Sequence, residues 1–384
     1  MENFAENELI LKLLVDTTYS ELSDSGSSSS FSTSSDDEFA PPPKRKKLTR
    51  SENYVEHVVH RYSDDEFKAH FRMNPSTAYK IIDLLKDSQH IPSHKDGRGK
   101  ISAEKAFLIA LWYLSNDETF REVSDRFNVT LSSVHRSLNR VLQFLLSLKT
   151  VVIRWPTDKE MSVITEAFRL KKGIENVIGC IDGSHIEISK PQENQLAYVN
   201  RKGYHSLLLQ VIVGPNKKFL DVYCGEPGSM HDARLLRKSN IYKTIHDNPN
   251  VIGDKIVIGD TAYPNLNWLV TPFKDYGNLT NDHKQFNYKL SATRVVVENA
   301  LGLLKGRFRR LRKLDNIDNN MCSKIIMGTC VLHNICVDEK DFIDTDITDF
   351  NQPVQVNCIN NFSTNILEQG NVSRQNQIFN SMYN

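Results

Sequence analysis

Three carboxylates in this chain have the setting that chemistry requires: Asp182, Asp260 and Glu298. Asp182 ends the apolar run Val177, Ile178, Gly179, Cys180, Ile181, and Gly183, Ser184 and His185 follow at once. Asp260 repeats the device after Ile256, Val257, Ile258 and Gly259, with Pro264 closing a turn. Glu298 sits within a long helical pattern over residues 291–314. The gaps of 78 and 38 residues match no short metal motif, so the acids could meet only through a fold. Were they to converge, three like charges a few Å apart could not all stay ionised without a counter-charge. Divalent cations supply one, and all-oxygen ligands select a hard ion, Mg2+ or Mn2+, over zinc. Two such ions about 4 Å apart can activate a water and steady the leaving oxygen of a phosphodiester. Asp182 would then be the natural bridging ligand, with Asp260 on one ion and Glu298 on the other.

The elements that must hold these acids are readable in outline. Val177, Ile178 and Ile181 predict a short buried strand, with a turn at Gly183 where the missing Cβ removes a steric penalty. An acid carried to the rim of a sheet by a rigid strand is a common mounting for a catalytic group. Strands are also predicted over 206–214, 218–224 and 256–259, and apolar helices over 158–170 and 322–336. Beside Glu298, Lys305, Arg307, Arg309, Arg310, Arg312 and Lys313 place six cations in nine residues. On a helix starting at the acids they could hold phosphates, whereas a helix end needs fewer for capping. His231 and Asp232 begin another helix; with Arg234 they are expected to brace the site or to contact DNA. A lone His-Asp pair also suggests an HD-type phosphohydrolase, but the further ligand motifs of that class are missing. Tyr263 and Pro264 are expected to shape the turn that aims Asp260.

The net charge of +1 hides an uneven distribution: residues 1–40 sum to −8, residues 338–384 to −5 and the remainder to +14. A basic body with acidic tails suggests a polyanionic partner, although a Lys-rich solvated surface gives the same count. No apolar run approaches the roughly 18 residues that cross a bilayer, so no membrane span is expected. Residues 9–15 are apolar but short and preceded by acids, which argues against a signal peptide. The six cysteines form no CxxC pair, which suits buried thiols in a reducing compartment. Cys330, His333 and Cys336 could suggest zinc, but no fourth ligand is near and their apolar neighbours fit a buried helix.

Four regions follow. Residues 1–50 form a Ser-rich acidic tail expected to be disordered. It ends in Pro41, Pro42, Pro43, Lys44, Arg45, Lys46 and Lys47, a basic cluster that reads as a nuclear import signal for an import receptor. The expected location is therefore the nucleus, with the cytoplasm also open. Residues 51–150 are helical. Within them, 120–127, a tight turn at 128–130, and 131–145 follow the helix-turn-helix plan. Val134, Leu138, Val141 and Leu145 point inward, leaving His135, Arg136, Asn139 and Arg140 for DNA phosphates and bases. A plain helical hairpin in a bundle is the other reading of the same pattern. Residues 151–337 are the catalytic domain, and 338–384 an Asn-rich acidic tail expected to be disordered.

With these residues in view the sequence resembles the PIF/Harbinger transposase-derived nucleases of the DDE superfamily, over roughly residues 60–337. The matching pieces are GCIDGSHI around Asp182, NRKGYHS at 200–206, PGSMHDAR at 227–234, GDTAYP at 259–264, RVVVENALGLLKGRFRR from Arg294, and VLHNIC at 331–336. The resemblance implies an α/β fold with an RNase H-like catalytic core behind an all-helical, helix-turn-helix-type domain. It places the family's three metal-binding acids on Asp182, Asp260 and Glu298. Arg294, Glu298 and Lys305 also fit the Tyr-x2-Arg-x3-Glu-x6-Lys pattern of related bacterial insertion-sequence transposases, while Ser291 stands where that pattern has tyrosine. That departure bears on hairpin handling rather than on metal binding. The resemblance further implies a Myb-like partner protein that helps recognise DNA. A homo-oligomer is compatible with the sequence. The expected activity is metal-dependent DNA cleavage or strand transfer; the competing expectation is a domesticated, catalytically silent DNA-binding or scaffold protein.

Overall fold

A computed structural model describes residues 50–92, 100–315, 317–343 and 373–383. The segment ending in Asp182 forms a much longer strand than its apolar run predicts. Strand β1 spans Val177–Ile188, and the turn expected at Gly183 is not there. The antiparallel neighbour β2 (Ser206–Val213) carries the ladder straight through, pairing Asp182 with Val211 and Gly183 with Gln210. Strand β3 (Phe219–Pro227) pairs antiparallel with β2. On the other side β4 (Ile256–Ile258) runs parallel to β1, and β5 (Leu269–Val270) parallel to β4. The order is β3-β2-β1-β4-β5, with β6 (Lys313–Leu314) paired parallel to the far end of β1.

Helices cover both faces. Neighbouring residues of β1 point to opposite sides, as the pleat requires, with an irregularity between Val177 and Gly179 that resets the alternation. Val177, Cys180 and Ile186 belong to the main core, and Ile178 and Ile181 to a smaller one. The smaller core packs the sheet against α7 (Asp232–Lys238) and α8 (Asn240–Asp247) through Leu236, Ile241 and Ile245. The main core lies under α9 (Asn281–Arg307) and α10 (Asn319–Asp338) and runs without a break into the N-terminal helices. Those helices are α1 (Asp64–Phe71), α2 (Pro75–Lys86), α3 (Ala103–Ser115), α4 (Phe120–Arg126) and α5 (Leu131–Ser147). Helix α3 is buried on every side, from Ala106 to Ser115. Its start is capped by Ser102, which accepts from the Lys105 N–H and so satisfies a donor that the helix start leaves free. Thr119 with Glu122 closes a capping box on α4, and Thr130 caps α5. Asn128, at φ 49°, takes the left-handed turn between them. The connector helix α6 (Asp158–Lys172) ends at Gly173, whose φ of 71° suits a helix C-cap.

Three further sequence expectations change. Helix α9 begins ten residues before the predicted 291 and stops at Arg307; a 3-10 turn over Arg309–Arg312 and strand β6 follow. The apolar spacing continues through Phe308, Leu311 and Leu314, all buried, which is why the segment reads as one helix. The far C-terminus also carries structure where none is expected: α11 (Arg374–Tyr383) lays Phe379 against Phe273, His283 and Phe286. Ile378, Phe379, Met382 and Tyr383 give it an apolar face at helical spacing, hidden in sequence by the polar residues around it. The third concerns Arg307 and Arg310, expected on an exposed phosphate-binding face. Both are buried. Arg307 pairs with the buried Asp341 at 3.4 Å and donates to the Arg72 and Asp341 carbonyls. Arg310 lies over the Tyr113 ring at 4.3 Å and donates to the carbonyls of Tyr113 and Glu118. A guanidinium can be buried when backbone carbonyls fill its donors, and here two of them pin the helical region onto the sheet domain. The basic run is thus divided between structure and surface.

The buried Cys330, His333 and Cys336 are core residues, and His333 lies 2.9 Å from the Lys217 carbonyl. Among the described residues no cysteine is in a disulfide and no helix is long and apolar enough to cross a membrane. The basic cluster at 44–47 lies outside the described residues.

Candidate functional site

The register of the parallel strands decides where the acids meet. Cys180 of β1 is level with Ile258 of β4. Asp182 and Asp260 each lie two residues further on, so both are delivered to the same edge of the sheet. Adjacent strands sit about 4.8 Å apart, which brings the two side chains into each other's field. Asp260 leaves its strand into a tight turn in which its own carboxylate accepts from the Ala262 N–H at 2.9 Å. This is a local Asx-type bond that fixes the side chain.

Asp182 is held by two contacts. Its carboxylate accepts from the Gly183 N–H at 2.9 Å and lies 3.6 Å from the Arg294 guanidinium of α9. Burial pushes its carboxyl up to about 7; Arg294 opposes the rise, and Asp260 and Asp232 add to it. Gly183 makes no turn; it leaves room for the side chain of Asp232 beside Asp182. A Cβ there would stand 2.7 Å from the Asp232 Oδ1 and 3.6 Å from the Tyr263 hydroxyl. Asp232 therefore joins Asp182 and Asp260 as a third acid of the cluster, where the sequence suggested a brace or a DNA contact. Burial and Asp260 raise its pKa, while Arg201 and His231 pull the other way. Tyr263 also belongs here: its buried hydroxyl has no hydrogen-bond partner among the described residues. Burial raises it well above its ordinary value, with Asp232, Asp182 and Asp260 adding to the effect. Its place five residues after Ile258 was legible, but its direction was not.

Glu298 is exposed on α9. Four residues before it Arg294 touches Asp182; seven after it Lys305 Nζ donates to Ser184 Oγ at 2.7 Å and to the His185 carbonyl at 3.0 Å. At about 100° per residue the three side chains leave the helix within roughly 40° of one another. Glu298 thus shares the helix face that Arg294 and Lys305 press against β1. As the side chains stand, no group of three or more His, Cys, Asp or Glu residues is drawn together tightly enough to hold a metal ion among the described residues. Lys305 is half-buried, and the desolvation of its ammonium with the nearby Lys202 lowers its pKa to about 8.

The other predicted residues scatter. His231 is exposed at the start of α7, with its Nδ1 accepting from Arg201 Nη2 at 2.7 Å. Arg234 is exposed one turn along, and Arg309 is exposed beyond the end of α9. Arg136 is exposed and Arg140 half-buried on the outer face of α5, while Val134, Leu138, Val141 and Leu145 are buried as expected.

Paired acids on neighbouring parallel strands, backed by a helix carrying Arg, Glu and Lys, define the class, a DDE superfamily endonuclease, and that family's sequence model matches residues 181–334. A second model, a domain of unknown function, matches residues 46–147. The protein named "Putative nuclease HARBI1" of Mus musculus is 30% identical over 264 residues, 68% of this chain and 74% of its own length. "Protein ALP1-like" of Arabidopsis thaliana is 28% identical over 293 residues, 72% of this chain and 71% of its own. "Probable transposase for insertion sequence element IS702" of Microchaete diplosiphon is 22% identical over 271 residues, covering 68% and 92%. No solved structure is significantly similar to the chain. The chain belongs to the Harbinger transposase-derived nuclease family of the DDE superfamily.

Proposed function

We propose that this protein is a metal-dependent DNA endonuclease whose core has the RNase H-like topology. Three antiparallel strands followed by two parallel ones, in the order β3-β2-β1-β4-β5, support that fold. The observation that carries the function is the shared edge of β1 and β4, which puts Asp182 and Asp260 in one field with Asp232 beside them. Such crowding opposes ionisation, and a hard cation is the group that relieves it. The donor set is all oxygen, which fits Mg2+ or Mn2+. Asp182, Asp260 and Glu298 are the residues that would hold it. When bound, such an ion supplies Lewis-acid activation of the attacking oxygen and charge relief at the leaving one.

The chain's own residues do the rest. Arg294 keeps Asp182 oriented and offsets one negative charge when no cation is present. Lys305, anchored on Ser184, puts a positive charge beside the acids where a phosphate oxygen would sit. The attacking oxygen comes from water, or from a DNA 3′-hydroxyl in strand transfer. The helices α4 and α5 act as a helix-turn-helix, with Arg136 and Arg140 facing the duplex. Residues 44–47 serve as a nuclear import signal, and a Myb-like protein acts as partner. A catalytically silent DNA-binding scaffold is the second reading, and one observation favours it: Glu298 is not drawn into a tight acid group. The deciding experiment is cleavage of an end-labelled duplex with Mg2+ or Mn2+, comparing the wild type with Glu298→Ala. Cleavage by the wild type that the variant lacks supports the nuclease. Equal cleavage by both removes Glu298 from the site, and none by either leaves the scaffold.

A further inference from the structure

The crossover from β1 to β2 contains a basic loop that the carboxylate chemistry leaves unused, Asn200 to Tyr204. Arg201 and Lys202 are exposed at its tip. The loop is built rather than slack. Asn200 is buried; its Oδ1 accepts from the Lys202 N–H at 2.9 Å and the Tyr204 N–H at 3.4 Å. Its Nδ2 donates to the buried Ser206 Oγ at 3.1 Å. Gly203 closes the turn at φ 84°, a left-handed conformation that favours glycine, with its N–H on the Asn200 carbonyl at 2.9 Å. Ser206 Oγ is also 3.0 Å from Nδ1 of His185, the residue whose carbonyl receives Lys305. One hydrogen-bonded chain therefore joins the loop to β1 and to the helix that carries Glu298.

Charge gives the loop its meaning. Arg201 reaches His231, next to Asp232, and Lys202 is close enough to Lys305 to disfavour its protonation. Arg201 thus lies in the field of Asp232, Lys305 in that of Asp182, and Lys202 beside Lys305, so three cations border the acids. An acid cluster by itself repels a polyanion, so a nucleic acid strand approaches it only if cations within about a Debye length, 8–10 Å, hold its phosphates. We propose that the loop of residues 200–204 is a phosphate clamp, in which Arg201 and Lys202 grip the DNA backbone beside the carboxylates and Asn200 sets the shape of the grip. The clamp rests on the nuclease reading for its substrate, but it is read by binding and not by cleavage.

The test uses the full chain carrying Asp182→Asn, so that a fluorescent duplex is bound and not cut, titrated at several salt concentrations. Arg201→Gln with Lys202→Gln is expected to weaken binding at least about tenfold at low salt and to flatten the slope of log affinity against log salt by about 2. Lys159→Gln with Lys172→Gln, the same charge change on the exposed face of α6, is expected to leave that slope unchanged. Arg201→Lys with Lys202→Arg keeps the charge and is expected to keep the slope, which separates charge from folding. A slope unaltered in the Gln pair, or lost equally in the charge-keeping pair, overturns the clamp. Wild-type cleavage decides the nuclease reading separately: a flattened slope with no cleavage keeps the clamp and discards the nuclease.

Discussion

Asp182 and Asp260 stand two residues past one register pair, Cys180 on β1 and Ile258 on β4, and so share an edge of the sheet. Two consequences follow from that single relationship. Asp260 raises the cost of ionising Asp182, and the helix across them is placed so that Arg294 answers one of the charges.

The crowding makes stability depend on pH. Burial and its acidic neighbours raise the Asp182 carboxyl to about 7 from an ordinary value near 4. Between those values the folded chain holds a proton that the unfolded chain has released. This contribution to stability is therefore full at low pH, declines as pH rises from about 4 to 7, and is absent above. Asp182→Asn is expected to abolish cleavage while raising metal-free stability at pH 8 by roughly 1–3 kcal/mol, with little change at pH 4. Chemical denaturation in chelator at both pH values measures this; a variant less stable than the wild type at pH 8 counts against the crowding.

The division of the basic run predicts two phenotypes. Arg307→Ala leaves Asp341 buried without its guanidinium and is expected to cost about 3–5 kcal/mol. Arg309→Ala, on the surface, is expected to change stability by less than about 0.5 kcal/mol and to flatten the DNA salt slope by about 1. Paired melting and binding curves separate them. Equal stability losses would show that the split is wrong.

On α5, Arg136→Ala with Arg140→Ala is expected to weaken duplex binding and flatten its salt slope by about 2, with the melting temperature nearly unchanged. Anisotropy titrations check this. If neither affinity nor slope moves, α4 and α5 are a hairpin of the bundle and nothing more.

The proline-led cluster predicts that replacing residues 44–47 with alanine lowers nuclear accumulation of a fluorescent fusion. An unchanged nuclear fraction, with no partner protein expressed to carry it in, would discard the signal.

The C-terminal helix is the clearest case of structure hidden by composition. Phe379→Ala removes a ring packed on Phe273 and Phe286 and is expected to cost about 3 kcal/mol. Limited proteolysis, followed by the rate of loss of the last dozen or so residues, reports it directly. No change in that rate would mean that the helix is not held there.

Much was legible in one dimension. The apolar runs ending in Asp182 and Asp260, the tight turn at 128–130, and the inward face of α5 are local patterns, set by residue type and spacing within a few turns or a strand. Those patterns, with the quoted motifs, determined the family and picked out Asp182, Asp260 and Glu298 as the candidate acids. What the sequence could not hold is whatever depends on a partner far along the chain. Gly183 looked like a turn and is a space for Asp232, because strand pairing with Val211 and Gln210 overrode the local signal. Arg307 and Arg310 looked like surface cations and are buried pins, because the carbonyls that satisfy them lie more than 190 residues away for Arg310 and in two separate segments for Arg307. Tyr263 and Asp232 joined the acid cluster only when the sheet register was fixed. Residue type sets what a side chain can do; only the fold decides which charges share its field and whether water reaches it.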